Sequence, residues 1–175
     1  MGMACVCDET GVLSAKIVET LATNGLTLAT AESCTGGAVS AAITSVAGCS
    51  SVMRGAIVAY HNEVKVNLLG VSASSLEEYG AVSKQVVEQM VCGVARVTGS
   101  DCAVATTGVA GPGGGTQEKP VGTVWIAAYI KGTVEAKLLS LGDKGRLNNV
   151  KNTVLEVLHL MNDVLNATLF SKIEK

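Results

Sequence analysis

Leu26-Thr27-Leu28-Ala29-Thr30-Ala31-Glu32-Ser33-Cys34-Thr35-Gly36-Gly37-Ala38 passes from an apolar, β-type segment into a helix through small and polar residues. Leu26 to Ala29 reads as a short buried strand, and Ala38 to Val46 as a small-residue helix ending at Gly48. The junction also carries chemical meaning. Ser33 or Thr35 would stand at a helix N-terminus, where the first N–H groups lack intrahelical partners and the dipole favours negative charge. An oxyanion or phosphate could be stabilised there. Glu32, Ser33 and Thr35 are equally ordinary helix-capping residues, so this segment alone does not require catalysis.

Reading outward, Leu13, Ile17, Val18 and Leu21 recur at helical spacing before Asn24-Gly25 stops the pattern. A strand covers 26–31. Gly55 to Tyr60 reads as another buried strand, and Asn62 is placed as the cap of a short helix running through Leu69. Ser83 caps a helix whose Val86, Val87, Met90, Val91 and Val94 share one face. Cys102 to Thr107 and Val121 to Ile130 form two more strands, separated by a glycine-rich loop. Thr133 to Leu141 closes a hairpin with the preceding strand. A long helix follows from about Arg146 to Leu169, striped by Leu147, Val150, Val154, Leu158, Met161 and Leu165. Helices interleaved with near-continuous apolar strands predict a three-layer α/β/α sandwich on a mixed, five-stranded sheet. Residues 12–170 are expected as one domain and 1–11 as an N-terminal extension, since neither a repeat nor a long linker divides the chain.

The 175 residues are 48% hydrophobic but only 3% aromatic, so the core must be aliphatic. A net charge of −2, with no Lys/Arg-rich run, opposes a nucleic-acid partner. The start lacks the pattern of a signal peptide, and no apolar run is long enough to span a membrane, so a cytoplasmic protein without a membrane partner is expected. The six cysteines (Cys5, Cys7, Cys34, Cys49, Cys92, Cys102) show neither paired nor framework spacing, so no metal or disulfide is called for. Cys92 and Cys102 lie in apolar patterns as small core residues. Cys34, at the helix start, is a rival nucleophile to Ser33.

Gly108-Val109-Ala110-Gly111-Pro112-Gly113-Gly114-Gly115 could bring backbone N–H groups close to a phosphate or carbonyl. It follows a strand, where ligands of open α/β sheets bind, and it sets Thr106 and Thr107 at that edge. It is neither a Walker loop nor a dinucleotide fingerprint. Tyr60-His61-Asn62-Glu63-Val64-Lys65 also follows a strand. A Lys in the first turn of a helix is electrostatically unfavourable. Lys65 is therefore a solvated surface residue, a contact for an anion, or a base with a depressed pKa. His61 is an alternative base, Ser50 and Ser51 are alternative nucleophiles, and His159 falls on an exposed helix face.

These segments, with Ala47-Gly48-Cys49-Ser50-Ser51, Gly80-Ala81-Val82-Ser83 and Lys119-Pro120-Val121-Gly122-Thr123-Val124, stand in an order that resembles the CinA C-terminal domain family from about residue 12 to 165. The separate N-terminal domain of longer CinA proteins has no counterpart in these residues. The resemblance implies a mixed five-stranded α/β/α sandwich and a nicotinamide mononucleotide amidase needing neither metal nor cofactor. It implies Ser33 as nucleophile, Lys65 as general base and Tyr60 assisting orientation. Substrate contacts carry over to Cys34, Thr35, Gly36, Gly37, Ser50, Asn62, Thr107, Gly108, Gly111 and Lys144. Backbone N–H groups around Cys34 to Gly37 would hold the oxyanion, while the glycine-rich loop and Thr107 would hold ribose phosphate or ring. A small pyridine mononucleotide is the expected partner, and a homo-oligomer the expected assembly.

The chain departs from the family at the start of its last helix. Where the family has Gly-Asp-Arg and a second Arg four residues on, this sequence reads Gly142-Asp143-Lys144-Gly145-Arg146-Leu147-Asn148. A bidentate donor becomes a point charge and another becomes a neutral amide. Helical spacing places Arg146 on the side opposite Asn148, which makes it a poor substitute for the missing arginine. This departure motivates a second reading, a nucleotide-binding or regulatory module without turnover. A nicotinamide-dependent oxidoreductase has no support, because its glycine fingerprint and following acidic residue are absent.

Overall fold

The computed structural model describes residues 8–170, so Cys5 and Cys7 lie outside the described residues. Helix α1 (Glu9–Thr23) begins ahead of the expected domain boundary, where the Asp8 carboxylate accepts from the Gly11 N–H at 2.9 Å. It turns Ile17, Val18 and Leu21 inward. Strand β1 (Leu28–Glu32), buried along its length, leads to α2 (Ala38–Thr44), and a single 3-10 turn at Cys49–Ser51 feeds β2 (Met53–Val58). Three helices follow: α3 (Asn62–Leu69), α4 (Ala73–Tyr79) and α5 (Lys84–Thr98). The chain then forms β3 (Cys102–Gly108), β4 (Thr123–Ile130), β5 (Thr133–Ser140) and α6 (Arg146–Phe170).

The sheet order is β2-β1-β3-β4-β5, parallel among β2, β1 and β3 and antiparallel through β4 and β5. Alternation along the central strands separates two cores. Leu28, Cys102, Val104, Ile126 and Ile130 meet α1, α2 and α6 on one face. On the other face Ala29, Ala31, Ala103, Ala105 and Ala127 present small side chains to α5, whose Val86, Val87, Met90, Val91 and Val94 fill the space above them. The result is the mixed α/β/α sandwich that the strand and helix periods imply.

Backbone proximity on the α5 side positions the site. A Cβ added at Gly93 would lie 2.0 Å from the Leu69 carbonyl oxygen, so only glycine lets α5 touch the end of α3. The same helix end receives a hydrogen bond from Arg96 Nη2 to Leu69 O at 3.1 Å. The angle at which α3 presents its first turn depends on this contact.

Several sequence expectations change in three dimensions. The strand at 55–60 is not buried: β2 is a sheet edge, its residues alternate between half-buried and exposed, and Val58 is 46% exposed. Helix α4 went unread because its polar sequence has no apolar period; Ser72 starts it by accepting from the Ser75 N–H at 3.0 Å. His61, rather than Asn62, caps α3, its Nδ1 accepting from the Glu63 N–H at 3.3 Å. Leu147 leaves the expected stripe of α6 and is 77% exposed, while Asn149 and Thr153 are buried, because the first turn of α6 packs on a loop rather than on the sheet. Cys92 is exposed rather than in the core, whereas Cys102 is fully enclosed and its thiol is pushed up to about 12 by that burial. His159 is half-buried and paired through Nε2 with Glu9 Oε1 at 3.0 Å. Among the described residues no helix is long and apolar enough to cross a membrane.

Gly93→Ala isolates the α3–α5 contact. Helix propensity alone favours Ala by about 1 kcal/mol, whereas overpacking a tight contact costs about 1–3 kcal/mol. Urea denaturation is expected to show net destabilisation; a more stable variant would mean that the two helices separate freely.

Candidate active site

Strands β2, β1 and β3 run parallel, so the segments after their carboxyl ends are neighbours. Ser33 follows β1, Ala59 and Tyr60 follow β2, and the glycine-rich loop follows β3. Ser33 N–H donates to Thr106 O at 3.0 Å and Ala59 N–H donates to Glu32 O at 2.7 Å, extending the ladder one step beyond the strands. Carrying the register one residue further sets half-buried Ser33 beside Thr107.

Lys65, on the first turn of α3, is 1% exposed and lies against this edge. Its Nζ donates to Ala59 O at 2.7 Å and Tyr60 O at 3.4 Å, and reaches Ser33 Oγ at 3.2 Å. Burial removes water from the ammonium and lowers its pKa from the ordinary 10.5; the neighbouring Cys34 opposes this. In the neutral amine two N–H bonds satisfy the two carbonyls, and the lone pair faces Ser33. The serine hydroxyl can then donate to it, which is the arrangement of a nucleophile and its base.

The helix start beside Ser33 differs from its sequence reading. Fully buried Glu32 turns back into it, Oε2 accepting from Thr35 Oγ1 (2.7 Å) and from the N–H groups of Gly37 (3.0 Å) and Val39 (3.0 Å). Its Oε1 accepts from Thr30 Oγ1 (3.1 Å) and the Ser40 N–H (2.8 Å). Thr35 therefore spends its proton on Glu32, and Thr106 Oγ1 lies 2.8 Å from the Thr35 oxygen. Thr35 is part of this cap and is not a nucleophile. The positive end of α2 is likewise taken by the chain's own Glu32 carboxylate, so it is not open to a substrate phosphate.

The turn at Cys34–Gly37 needs left-handed backbone at Gly36 (φ 60) and Gly37 (φ 102), which glycine supplies without strain. Gly36 N–H returns to Ser33 O at 3.1 Å. Of the donors expected for an oxyanion, only the N–H groups of Cys34 and Thr35 have no protein acceptor among the described residues. Cys34 directs its thiol into the α2–α6 core, and burial, the largest influence, pushes it up to about 11. It is not a competing thiolate.

The remaining carried-over positions divide in two. Gly108 backs against β4, where a Cβ would sit 2.7 Å from Val124 Cα, and Gly111 offers its carbonyl to the site's rim. Thr107 is beside Ser33, yet its hydroxyl donates to Ala81 O at 2.8 Å, anchoring the loop before α5. Asn62 and Lys144 are exposed, on the first turn of α3 and the turn before α6. Ser50 is not brought to Ser33: the 3-10 turn feeds the amino end of β2, whereas Ser33 follows the carboxyl end of the neighbouring β1.

Arg146 lies on the side of α6 opposite Asn148, as helical spacing places it, and that side is the one that meets the site. It is the first residue of α6, with Nη2 donating to Tyr60 Oη at 2.6 Å and Nη1 to Gly111 O at 3.0 Å. Asn148 faces solvent and donates to Lys144 O at 2.9 Å. Asn149 completes the clamp, Nδ2 donating to Ala110 O at 3.2 Å.

Residues 11–165 match the CinA C-terminal domain. The chain belongs to this family. It is 46% identical over 136 residues to a CinA-like protein of Kosmotoga olearia and 44% identical over 146 residues to one of Shewanella sediminis, covering 78% and 83% of this chain. It spans 32% and 34% of those relatives' lengths, about a third of each. Among solved structures it is similar to the competence/damage inducible protein CihA of Agrobacterium tumefaciens (TM-score 0.89, 39% identity, 94% of this chain and 99% of that one). A CinA superfamily protein of Klebsiella pneumoniae is similar at TM-score 0.86 and 32% identity, covering 90% of this chain and 98% of that one. The family resemblance read from the motifs is thus established, and so is the fold.

Two outcomes test this geometry without any substrate. Glu32→Gln must set an amide N–H₂ against fixed backbone donors, so stability is expected to fall by about 2–3 kcal/mol on chemical denaturation; an unchanged midpoint would mean that the cap is dispensable. Iodoacetamide at pH 8 should leave Cys34 unmodified in the native protein and label it after denaturation, read by peptide mass mapping. Rapid native labelling at Cys34 would contradict the raised thiol pKa.

Proposed function

We propose that this protein hydrolyses the carboxamide of a pyridine mononucleotide, nicotinamide mononucleotide, to nicotinate mononucleotide and ammonia. The observation that carries the reading is the buried Lys65 amine, 3.2 Å from Ser33 Oγ with its other bonds fixed on the Ala59 and Tyr60 carbonyls. Membership of the CinA C-terminal domain family supports it.

In this mechanism neutral Lys65 takes the Ser33 proton as Oγ attacks the carboxamide carbon. The N–H groups of Cys34 and Thr35 receive the developing oxyanion, each well-aimed donor contributing roughly 3 kcal/mol. Lys65 then passes its proton to the leaving nitrogen, the C–N bond breaks and ammonia departs. The acyl ester on Ser33 is cleaved by water, which delivers one proton to Lys65; that proton returns to Ser33, freeing the acid. Tyr60 serves through its backbone carbonyl, which orients Lys65, and its ring lines the rim.

Ammonia release from nicotinamide mononucleotide is the direct test. Ser33→Ala should lower kcat by roughly 10³-fold or more, and Lys65→Arg, which cannot deprotonate, by at least ~10²-fold. Because the base works as the neutral amine and burial lowers its pKa, kcat should rise with pH along a limb centred below 10.5 and be lost as pH falls through it. Tight binding without ammonia release would favour the non-catalytic binding module. Full turnover by Lys65→Arg would remove Lys65 as the base.

A further inference from the structure

The guanidinium of Arg146 joins two segments that follow non-adjacent strands. Tyr60 follows β2 and Gly111 follows β3, and β1, which carries Ser33, lies between these strands. With neighbouring strands about 4.8 Å apart, a bridge from one side to the other must pass over the middle strand's end. Arg146 thus crosses the mouth of the site above Ser33. Its reach toward the nucleophile loop also registers as an attraction on the Cys34 thiolate form.

The charge of this strap is uncompensated. Among the described residues Arg146 forms no ion pair with a carboxylate. The nearest acid of the site, Glu32, is sealed beneath the turn by its five donors. Both bonds of the guanidinium go to neutral oxygens, and a guanidinium has five N–H donors, so others stay available. A phosphate oxygen is a stronger acceptor than a phenol or a carbonyl, and a fork of two N–H groups matches it bidentately. The family's arginines are missing at Lys144 and Asn148, and the structure puts a guanidinium at the rim from another position.

We infer that Arg146 is the residue through which this site reads the anionic end of its ligand, a phosphomonoester, and so selects a nucleotide over its nucleoside. The inference rests on the proposed pyridine mononucleotide substrate. It adds that specificity for the phosphate comes from the first residue of α6 and not from Lys144, which stands exposed before the helix.

Calorimetric titration of the Ser33→Ala protein, which binds without turning over, separates the two readings. The probes are nicotinamide mononucleotide, its phosphate-free riboside and ribose 5-phosphate. Adding Arg146→Gln should weaken both phosphorylated ligands by about 10-fold to 100-fold and the riboside by less than about threefold, as expected for a lost bond to a charged group. Arg146→Lys should recover part of the loss, and Lys144→Gln should cost less than Arg146→Gln. Unchanged far-UV circular dichroism controls for folding, which an exposed side chain should not disturb. Equal weakening of nucleotide and riboside, no weakening, failure of the parent to bind any phosphorylated probe, or a larger loss from Lys144→Gln would each overturn the inference. Phosphate-selective binding lost in Arg146→Gln, in a wild-type protein that releases no ammonia, would uphold it while refuting the amidase. Ammonia release with phosphate affinity indifferent to Arg146 would do the reverse.

Discussion

The buried Glu32 carboxylate is the constraint around which the candidate site is arranged. A carboxylate cannot be sealed from water unless strong donors replace its hydration, and here two hydroxyls and three backbone N–H groups do so. Those donors come from β1, from the turn and from α2, so satisfying one charge locks three pieces of chain together. Helix α2 has only seven residues, too few to be stable on its own, and its orphan N–H groups are met by this acid. Ser33 is the residue between the locked strand and the locked turn. Its backbone has little freedom left, which suits the nucleophile role proposed for it.

A second, opposing constraint acts on Lys65. Its amine is kept from water by α3 packing against the strand ends, and that packing traces to the contact of Gly93 with the Leu69 carbonyl at the far end of the helix. Desolvation disfavours the ammonium, while two carbonyls still satisfy the amine's hydrogens. The fold spends part of its stability here. A buried amine is worse for folding than an apolar side chain of similar length, and what it supplies is a desolvated amine of lowered pKa beside the Ser33 hydroxyl.

The third element is the clamp between α6 and the glycine-rich loop. Arg146 and Asn149 hold successive carbonyls, those of Gly111 and Ala110, and Arg146 reaches on to Tyr60. Lys119 pins the other end of the same loop through Tyr79 O at 2.6 Å. A segment so rich in glycine would otherwise sample many conformations; these bonds give it one path beside Ser33.

The five strands, most of the helices and the strand-to-helix junction that carries Ser33 were legible in the sequence alone. Each of these depends on local patterns: apolar runs for β1 and β3, the spacing of Val86 to Val94 for α5, and the motif order that resembles the family. The Ser33–Lys65 pairing was legible only through that resemblance, because the residues are 32 apart and no period links them. Tertiary structure alone decided the rest. It filled the α2 terminus with Glu32, exposed β2 and Cys92, left Ser50 at the amino ends of the strands and brought Arg146 to the rim. The physical reason is common to all of these: which atoms compete for a donor, and which face of an element meets solvent, depends on the neighbours that packing supplies, and a residue's own sequence window does not contain them.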